Sequence, residues 1–374
     1  MDFGLDEHQQ DVQRRAQAFA AAHVAPVAAG LDRAGRIPSE IIRGAAEVGL
    51  LGCERDFVAY AAGLIEISKA WASLGSVIAV HNSLVCYPIA RYGDAAQKST
   101  YLSRLTDGQQ LGCYAFAEPS AGSDAGAIRT TAVADGGHYV INGHKRFVTG
   151  GRQARIAIVY ALTDPSKGRE GLSAFIVETD TPGFDVGETN EMLGLRASEA
   201  VDVVLRDCRV PRANLLGELN QGFTIARAIV EGGRIDIAAQ AVGIGEACLS
   251  HGIAKAKDRR QFGRPIAEFE AIQWMVADMS TEIDAARLLT FRAAAMRSAN
   301  AGDPGLTKAA AMAKLFASEA ANRAAYNALQ IFGGHGYLTE YPVERLFRDA
   351  RAMTLYEETS EIERLVIERE LAKS

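Results

Sequence analysis

Five glutamates lie close together near the end of the chain, in the stretch LYEETSEIERL and the turn that follows it: Glu357, Glu358, Glu361, Glu363 and Glu368. A carboxylate can remove a proton from a substrate when the protein holds it in a dry pocket, because burial raises its pKa toward the working pH. Glutamates are also common on the solvated face of a helix. Some of these glutamates are therefore expected at ordinary helix positions, and the others need a different explanation.

Helix capping accounts for part of this cluster. Ser360 and Glu363 have the S-x-x-E spacing of a capping box, in which each side chain accepts a hydrogen bond from the backbone N–H of the other residue. Downstream, apolar residues keep the i, i+3, i+4 spacing of an amphipathic helix: Ile362, Leu365 and Val366. The pattern predicts a helix that begins at Ser360, and Glu361 and Glu363 in its first turn suit the positive end of the helix dipole.

Glu357 and Glu358 are not explained in this way. They precede the cap, in a connector that directly follows Leu355 and Tyr356, whereas Glu368 takes an ordinary polar position on the helix. Glu357 is either a connector carboxylate in solvent or a catalyst. Glu358 either turns to solvent or, if both carboxylates are buried, raises the pKa of its neighbour by like-charge repulsion.

The composition is that of a soluble globular protein with room for more than one domain. The 374 residues are 48% hydrophobic and 23% charged, the formal net charge is −6, and no run of five Lys or Arg residues occurs. Without a basic surface, nucleic-acid binding is disfavoured. The N-terminus MDFGLDEHQQDVQRR is acidic and polar, and no stretch of about 18 uncharged apolar residues is present, so we expect no membrane span and a cytoplasmic location.

The spacing of cysteine and histidine disfavours disulfide and metal chemistry. The five cysteines form no C-x-x-C pair, and the seven histidines form no H-x-x-x-H pair. We expect the cysteines to be core thiols: Cys53, Cys86, Cys113, Cys208 and Cys248. The sequence also lacks the nucleophile elbow, the phosphate loop and the dinucleotide-binding glycine motif. No metal site is predicted, and Glu, Ser and Gly are left to carry the chemistry.

Periodicity divides the chain into a helical, a strand-rich and again a helical part. Up to about residue 111, apolar residues recur with helical period, which predicts helices over 7–22, 39–49 and 59–74. After residue 112, five stretches alternate with period two: TTAVAD, HYVING, RIAIVYAL, SAFIVETD and AVDVVLRD. The Asp135-Gly136-Gly137 step between the first two stretches predicts a hairpin.

The rest of the chain returns to helical sequence, with predicted helices over 222–260, 267–299 and 307–332 and the one that Ser360 opens. Helices and strands segregated in this way favour the α+β class over alternating βαβ units. We expect three consecutive domains: an N-terminal all-α domain over 1–111, a central β domain over 112–216 and a C-terminal helical domain over 217–374.

Six segments resemble the acyl-CoA dehydrogenases, and they occur in the family's order over nearly the full length of the chain. They are AEPSAGSDAGA (117–127), KRFVTGG (145–151), EMLGLRASEA with RDCRVP behind it, RRQFGRPIAEFEAIQWMVADM (259–279), QIFGGHGYLTEYPVERLFRDA (330–350) and LYEETSEIERLVIEREL. The resemblance implies an α-helical domain, a central β-barrel and a C-terminal four-helix bundle. This fold coincides with the division that periodicity predicts.

The resemblance implies α,β-dehydrogenation of an acyl thioester, in which an enzyme carboxylate removes the α-proton while N5 of FAD takes hydride from the β-carbon. In the family the base most often precedes Gly-Thr in Tyr-Glu-Gly-Thr, and that position here is Glu357. In some members the base lies on a C-terminal helix immediately before an arginine, and that position here is Gly233, before Arg234. Because glycine cannot act as a base, Glu357 is the expected base.

The resemblance also places six residues of the central domain around the flavin and the thioester: Tyr114, Phe116, Ala117, Ser123, Phe147 and Thr149. Ser123 matches a position near the pantetheine and the pyrophosphate, and Thr149 matches one near N5. Small residues in SAGSDAG suit a close approach to phosphate, although this segment alone could equally be a plain turn. Ala117 stands where the family often has Thr or Ser, and Phe147 stands where Trp is common.

Five residues of the C-terminal domain match positions that contact the FAD of a neighbouring subunit: Arg259, Gln261, Phe262, Gln330 and Gly334. The match implies an obligate homo-oligomer, typically a tetramer built as a dimer of dimers. Without the motif context, Arg259 could form a salt bridge within its helix, and Gly334 could belong to a helix-ending turn.

The remaining family positions fall on the C-terminal glutamate cluster and on one helix. Thr359 and Glu361 match contacts to the adenine half of FAD. Glu231 and Arg234 match residues that face the CoA moiety, and Tyr356 is expected to contact the substrate.

Three features leave the substrate open. Residues 52–60 read GCERDFVAY where the family usually has a longer loop near the active-site entrance, Asp236 occupies a site that is more often small, and Glu358 replaces the glycine after the base. The main expectation is an acyl-CoA dehydrogenase of the short-chain, butyryl-type branch that passes electrons to an electron-transfer flavoprotein. One alternative is a dehydrogenase for an acyl, aminoacyl or hydroxyacyl group tethered to a carrier protein. Another is a flavin scaffold or nucleic-acid-associated relative without turnover.

Overall fold

The computed structural model describes residues 4–52 and 56–373. Within these residues the N-terminal part forms seven α-helices: α1 (Glu7–Phe19), α2 (Ala28–Ala34), α3 (Ser39–Glu47), α4 (Phe57–Ala70), α5 (Ala72–Ala79), α6 (Tyr87–Tyr92) and α7 (Ala95–Thr106). Cys53, Glu54 and Arg55 of the shortened loop lie outside the described residues. The other four cysteines are buried, as predicted.

Two of the predicted N-terminal helices are confirmed and one is partly wrong. The helix expected over 7–22 begins at a capping box between Asp6 and Gln9, and it ends in a π turn over Ala20–Val24. The helix expected over 59–74 is interrupted, because Trp71 is extended (φ −162°, ψ 109°) and separates α4 from α5. The indole of Trp71 is buried in the core, so tertiary packing overrides the local helical pattern.

The longest apolar helix of the N-terminal part lies inside the fold. A π turn over Val80–Cys86 joins α5 to α6, and the two run on as one helix from Ala72 to Tyr92. Among the described residues this is the one helix long and apolar enough to cross a membrane, but 94% of its apolar window is buried within the protein. Such burial is typical of the core helix of a globular domain.

The central part is a sheet of eight described strands: β1 (Leu111–Ala115), β2 (Thr131–Asp135), β3 (His138–Val148), β4 (Ala154–Leu162), β5 (Leu172–Glu178), β6 (Phe184–Thr189), β7 (Val201–Pro211) and β8 (Leu215–Leu216). Their order is β6-β7-β3-β2-β4-β5-β8, with β1 parallel to β4. The predicted hairpin is confirmed, because β2 and β3 are antiparallel with Asp135 opposite His138. Gly136 has φ +58°, a left-handed conformation that glycine adopts without strain.

Strand β4 packs against helices from both the N-terminal and the C-terminal part of the chain. Its side chains are buried on both faces, as expected for a central strand. One hydrophobic cluster contains three residues of β4, namely Ile156, Ile158 and Tyr160. It also contains Val85 of the π turn and Ile229 of the first helix after the sheet. This packing brings the end of β1, which lies beside β4, close to the C-terminal helices.

The C-terminal part contains five described helices and a short hairpin: α8 (Gly222–Asp258), α9 (Glu270–Ala299), α10 (Leu306–Phe332), α11 (Pro342–Ala352) and α12 (Ser360–Leu371), with β9 (Arg260–Gln261) and β10 (Arg264–Pro265) between α8 and α9. α10 packs against α8, α9 and α12 through a stripe of buried alanines. Small side chains allow helices to approach closely. The helical, strand-rich, helical order is therefore confirmed, while the domain boundaries near residues 111 and 216 stay predictions.

Candidate active site

Glu357 lies in the connector between α11 and α12, directly against the first half of α8. Its backbone is left-handed (φ +62°), a conformation that a residue other than glycine adopts only when its surroundings hold it there. A Cβ built on Gly233 of α8 would fall 2.5 Å from Oε2 of Glu357. The glycine thus makes room for the carboxylate, and the alternative base position of the family is filled by the side chain of Glu357.

Glu358, the residue after the expected base, points into the protein toward α8. Arg234 donates from Nε to Oε2 of Glu358 over 2.8 Å, and its Nη2 donates to the same oxygen. Nε of Arg234 also lies 3.1 Å from Oε2 of Glu363. Lys314 of α10 donates from Nζ to the carbonyl oxygen of Glu358. The side chain and the backbone of Glu358 are therefore both held by buried cations.

The predicted capping box at Ser360 is wrong. Thr359 is the N-cap of α12, since its hydroxyl accepts from the N–H of Ile362 (3.4 Å), and Ser360 is the first helical residue and donates to Oε1 of Glu319 (2.9 Å). Glu363 is fully buried and pairs with Arg234, so it does not reach back to the helix start. The ion pair with another helix outweighs the local capping interaction.

The pKa of Glu357 is raised to about 7, first because the carboxyl is removed from water and then because the charge of Glu358 is close. Lys314 and Arg234 oppose this rise. A carboxyl with a pKa near neutrality is matched to general-base work, since it is ionised at the working pH and still holds a proton well.

Tyr356 anchors the other side of the connector. Its hydroxyl donates to Oε1 of Gln240 on α8 and lies 3.3 Å from the hydroxyl of Ser76 on α5. Gln240 donates in turn to Ser76 (3.0 Å) and to the carbonyl oxygen of Ala72 (2.8 Å). Glu357 therefore sits between two residues that are each tied to α8.

Five of the six expected flavin residues of the central domain lie at the ends of β1 and β3 or directly after them, and Ser123 lies in the segment between these strands. The rings of Tyr114 and Phe116 are parallel with centroids 5.8 Å apart, and both meet Tyr160 edge-on. Burial and the nearby Tyr160, followed by the charge of Glu357, raise the pKa of Tyr114 well above its usual value. Tyr114 is thus within electrostatic reach of Glu357, so the sheet and the connector meet at one site.

A buried ion pair fixes the backbone beside these rings. Lys145 donates from Nζ to the carbonyl oxygen of Phe116 (3.0 Å) and to Oε1 of Glu118 (2.9 Å). The N–H of Arg146 donates to the carbonyl oxygen of Ala117 over 2.8 Å. Both bonds hold the segment that follows β1 against β3.

This part of the site fits a flat ring that carries phosphates. Phe147 is 60% exposed on a left-handed backbone (φ +57°), which leaves an aromatic face free at the rim, with half-buried Thr149 two residues on. Ser123 is exposed, and a Cβ built on the adjacent Gly122 would meet nothing within 4 Å. Small residues with open space around them leave backbone amides accessible to phosphate. These residues would hold the flavin and the diphosphate of FAD.

The residues expected to contact a second FAD lie far from Glu357 in the same chain. Arg259, Gln261 and Phe262 follow the end of α8, and Phe262 is 94% exposed. Asp258 is 25 residues beyond Gly233 on α8, which at about 1.5 Å per residue is roughly 37 Å. Two more of these residues, Gln330 and Gly334, lie at the end of α10. Within one subunit, the end of α8 and Glu357 are therefore too far apart to belong to one site.

The remaining predicted residues lie near the connector. Thr359 is the N-cap described above, and Glu361 is exposed next to it. Glu231 accepts from the hydroxyl of Thr307 and is three residues before Arg234 on α8. The guanidinium of Arg234 is buried and engaged by acidic side chains, and its expected contact with CoA stays a prediction.

Two cations that matter here were not expected from the sequence. Lys314 is fully buried below the connector, and its sequence signal is a single lysine in the alanine-rich run AAAMAKLFASEAA. Arg297 is buried near the end of α9, and no sequence pattern marks it. A surface cavity of about 500 Å³ between α8 and α9, lined in part by Glu246 and Arg287, contains none of the predicted site residues.

Comparison with known proteins assigns nearly the whole chain. Three family models match: the N-terminal domain of acyl-CoA dehydrogenase at residues 6–109, the middle domain at 113–208 and the C-terminal domain at 220–372. Acryloyl-CoA reductase (NADH) of Anaerotignum propionicum is 43% identical over 384 residues, which cover 100% of this chain and 96% of that protein.

Two solved structures superpose along the full length. Butyryl-CoA dehydrogenase of Megasphaera elsdenii has a TM-score of 0.96 with 39% identity, and each chain is covered completely. A chain from the structural study of the electron transferring flavoprotein of Acidaminococcus fermentans, on flavin-based electron bifurcation, has a TM-score of 0.97 with 40% identity and the same complete coverage. Identity and coverage at this level indicate common ancestry.

Proposed function

The chain belongs to the acyl-CoA dehydrogenase family of flavin-dependent oxidoreductases, and from this premise we propose that it dehydrogenates an acyl thioester between Cα and Cβ with Glu357 as the base. The position of the Glu357 carboxylate over Gly233 carries this proposal. The substrate loses a proton to Glu357 and a hydride from Cβ, and a trans-2-enoyl thioester results. FAD, when bound, supplies the hydride acceptor.

The surroundings of Glu357 suit proton abstraction. Its pKa near 7 allows the carboxylate to accept a proton at neutral pH without being so weakly basic that transfer is slow. Tyr356 and Glu358 are each hydrogen-bonded to α8, so the connector holds the carboxylate in one place. The fixed geometry reduces the entropy lost on reaching the transition state.

The proposed assembly is a homotetramer in which two subunits build each FAD site. The separation of Arg259, Gln261 and Phe262 from Glu357 supports this assembly. At that distance from the base, these three residues would contact the FAD that a second subunit binds. Exposed aromatic side chains on the C-terminal part also favour association: Phe262, Trp274, Tyr326 and Tyr337. We further propose an electron-transfer flavoprotein as the acceptor, since a structural relative comes from the study of such a protein.

Anaerobic titration of the purified holoenzyme tests this function. A panel of acyl-CoA esters from butyryl-CoA upward is compared with a carrier-protein thioester while the absorbance of oxidised flavin is recorded. Bleaching by CoA esters supports the acyl-CoA dehydrogenase, and bleaching by the tethered ester alone supports the carrier-protein enzyme. Absence of bleaching by any thioester would indicate a flavin scaffold.

A variant of the base separates the mechanism from the binding of ligands. Glu357→Gln is expected to keep FAD and to slow flavin reduction about 10²-fold or more, because the amide cannot accept the α-proton. Glu368→Gln, on the exposed face of α12, is the matched control and is expected to reduce at the wild-type rate. Near-wild-type reduction by Glu357→Gln would overturn the assignment of the base.

A further inference from the structure

Two buried side chains near the site, Arg297 and Asp236, lack hydrogen-bond partners. Arg297 is 3% exposed, and within the described part of the chain none of its three guanidinium nitrogens makes a hydrogen bond. Asp236 is 1% exposed, and neither of its carboxyl oxygens is within hydrogen-bond distance of a donor, although the Ser83 hydroxyl is near enough to lower its pKa. Burying a polar group without a partner costs free energy, and for a guanidinium the cost is large. A ligand that satisfies both groups would remove this cost.

The guanidinium of Arg297 packs against two aromatic rings. Its Cζ lies 4.5 Å from the ring centroid of Phe57 and 4.5 Å from that of Tyr87. Such contacts use the face of the guanidinium, whereas its N–H groups project in the plane. In-plane N–H groups form the fork that binds a carboxylate through two hydrogen bonds.

These groups lie close to the base along α8. A Cβ built on Gly232 would lie 3.1 Å from Cζ of Arg297 and 3.1 Å from the hydroxyl oxygen of Ser83. The next residue of α8 is Gly233, which faces the carboxylate of Glu357. Neighbouring glycines on α8 thus make room for the base on one side and for Arg297 on the other.

Asp236 lies about one turn further along α8, and the charges of Arg297 and Glu357 both act on its pKa. Burial raises its pKa well above the usual value, the Ser83 hydroxyl and Arg297 oppose the rise, and the charge of Glu357 adds to it. The raised pKa makes the Asp236 carboxyl easier to protonate than an exposed one, and in its protonated form it can donate a hydrogen bond.

We propose that Arg297, Ser83 and Asp236 form the closed end of the acyl site and bind a carboxylate at the far end of the acyl group, so that the enzyme prefers an ω-carboxyacyl thioester to an alkyl one. Arg297 donates two hydrogen bonds to the carboxylate, and Ser83 and Asp236 donate the others. This inference rests on the proposed function, because it assumes that the acyl chain starts at Glu357. It adds to that function the chemical group expected at the end of the acyl group that is remote from the thioester.

Binding to a holoenzyme that cannot turn over tests the inference apart from catalysis. In the Glu357→Gln background, isothermal titration calorimetry compares glutaryl-CoA with 5-methylhexanoyl-CoA, and adipyl-CoA with 6-methylheptanoyl-CoA. The members of each pair have nearly the same shape and differ in the terminal carboxylate. We expect the carboxylate ester of at least one pair to bind on the order of tenfold tighter, as for a hydrogen-bonded charge.

Variants of Arg297 identify the group responsible. Adding Arg297→Met, which keeps most of the side-chain volume, is expected to abolish the preference for the carboxylate. Adding Arg292→Met, on the exposed face of the same helix, is expected to leave it unchanged. If Arg297→Met does not fold, Arg297→Lys keeps the charge but loses the fork, and it is expected to reduce the preference.

The outcomes separate this inference from the proposed function. Equal or weaker binding of both carboxylate esters, or a preference that survives the loss of the Arg297 guanidinium, overturns the carboxylate site even if alkyl esters bleach the wild-type flavin. A carboxylate preference that depends on Arg297 supports the site even if no thioester bleaches the flavin, in which case dehydrogenation is the part that fails.

Discussion

Nε of Arg234 lies 2.8 Å from Oε2 of Glu358, and this contact ties the first half of α8 to the residue that follows the proposed base. It settles the orientation of Glu358, which the sequence left open. Lys314 holds the carbonyl oxygen of the same residue from α10. Glu357, with its left-handed backbone, is therefore attached to a neighbour that two helices fix in place.

The first prediction concerns the pH dependence of proton abstraction. Glu357 works as a carboxylate, so the rate of flavin reduction should rise with pH through its pKa of about 7. Glu358→Gln removes a charge that raises this pKa and frees Arg234, which lowers it. The midpoint of the rate profile, measured by stopped-flow reduction, should move to lower pH.

Lys314→Met provides the opposite test, because Lys314 lowers the pKa of Glu357. Its midpoint should move to higher pH, and Glu368→Gln on the exposed face should leave the midpoint in place. An unchanged or raised midpoint in Glu358→Gln would show that Glu358 does not act on the base.

The second prediction concerns the space over α8. Gly233→Ala places a methyl group 2.5 Å from Oε2 of Glu357 and must displace the carboxylate. We expect flavin reduction to slow by about 10- to 100-fold while FAD stays bound, because small misplacements of a catalytic group are costly. Gly252→Ala on the same helix is the control, since its methyl meets only the mobile end of Ile331 at 3.3 Å. Equal rates for the two variants would contradict the assigned position of the base.

The third prediction concerns the buried pair of Lys145 and Glu118. Lys145→Met leaves the Glu118 carboxylate without its cation and frees the carbonyl oxygen of Phe116. We expect the free energy of unfolding to fall by about 3–5 kcal/mol and FAD to dissociate more readily. Denaturant unfolding of the apoprotein and flavin fluorescence measure the two effects.

The double variant Lys145→Met with Glu118→Gln is the companion experiment. It removes the unpaired charge, so part of the lost stability should return. If the double variant is as unstable as the sum of the two single variants, the two side chains do not interact as described.

The fourth prediction concerns assembly. Sedimentation should give a mass near four times the 40.0 kDa of the chain. Phe262→Ser, at a position 94% exposed in the single subunit, should shift the protein to smaller species and weaken FAD retention. Arg292→Ser, exposed on α9, serves as the control for a surface change. A monomeric wild-type protein that retains FAD fully would refute the shared site.

Much of the fold could be predicted from local patterns. Period-two stretches and the Asp135-Gly136-Gly137 step identified the sheet and its hairpin, and long runs of helical period identified α8, α9 and α10. The break at Trp71 could not be predicted, since the run 59–74 contains no proline and few β-branched residues. The core takes up the indole, and only the packed structure contains that information.

The contiguous motif pointed to Glu357, and the structure buries this carboxylate beside Gly233 of α8, while its role as the base stays a prediction. The cap of α12 was misplaced by one residue because Thr359 and Ser360 are both good caps, and the choice depends on Glu363 pairing with Arg234 from another helix. Arg297 was missed for the same kind of reason. Its partners Phe57 and Tyr87 are more than 200 residues away in the chain, so no spacing rule connects them.

The crowding between Gly233 and Glu357 also has an evolutionary meaning. A side chain at position 233 would compete with the carboxylate of Glu357 for the same space, since a Cβ there would lie 2.5 Å from Oε2. If a base is relocated between these two places, a change at one position favours a change at the other. The two positions are expected to be inherited as a pair, so that the residue at one predicts the residue at the other.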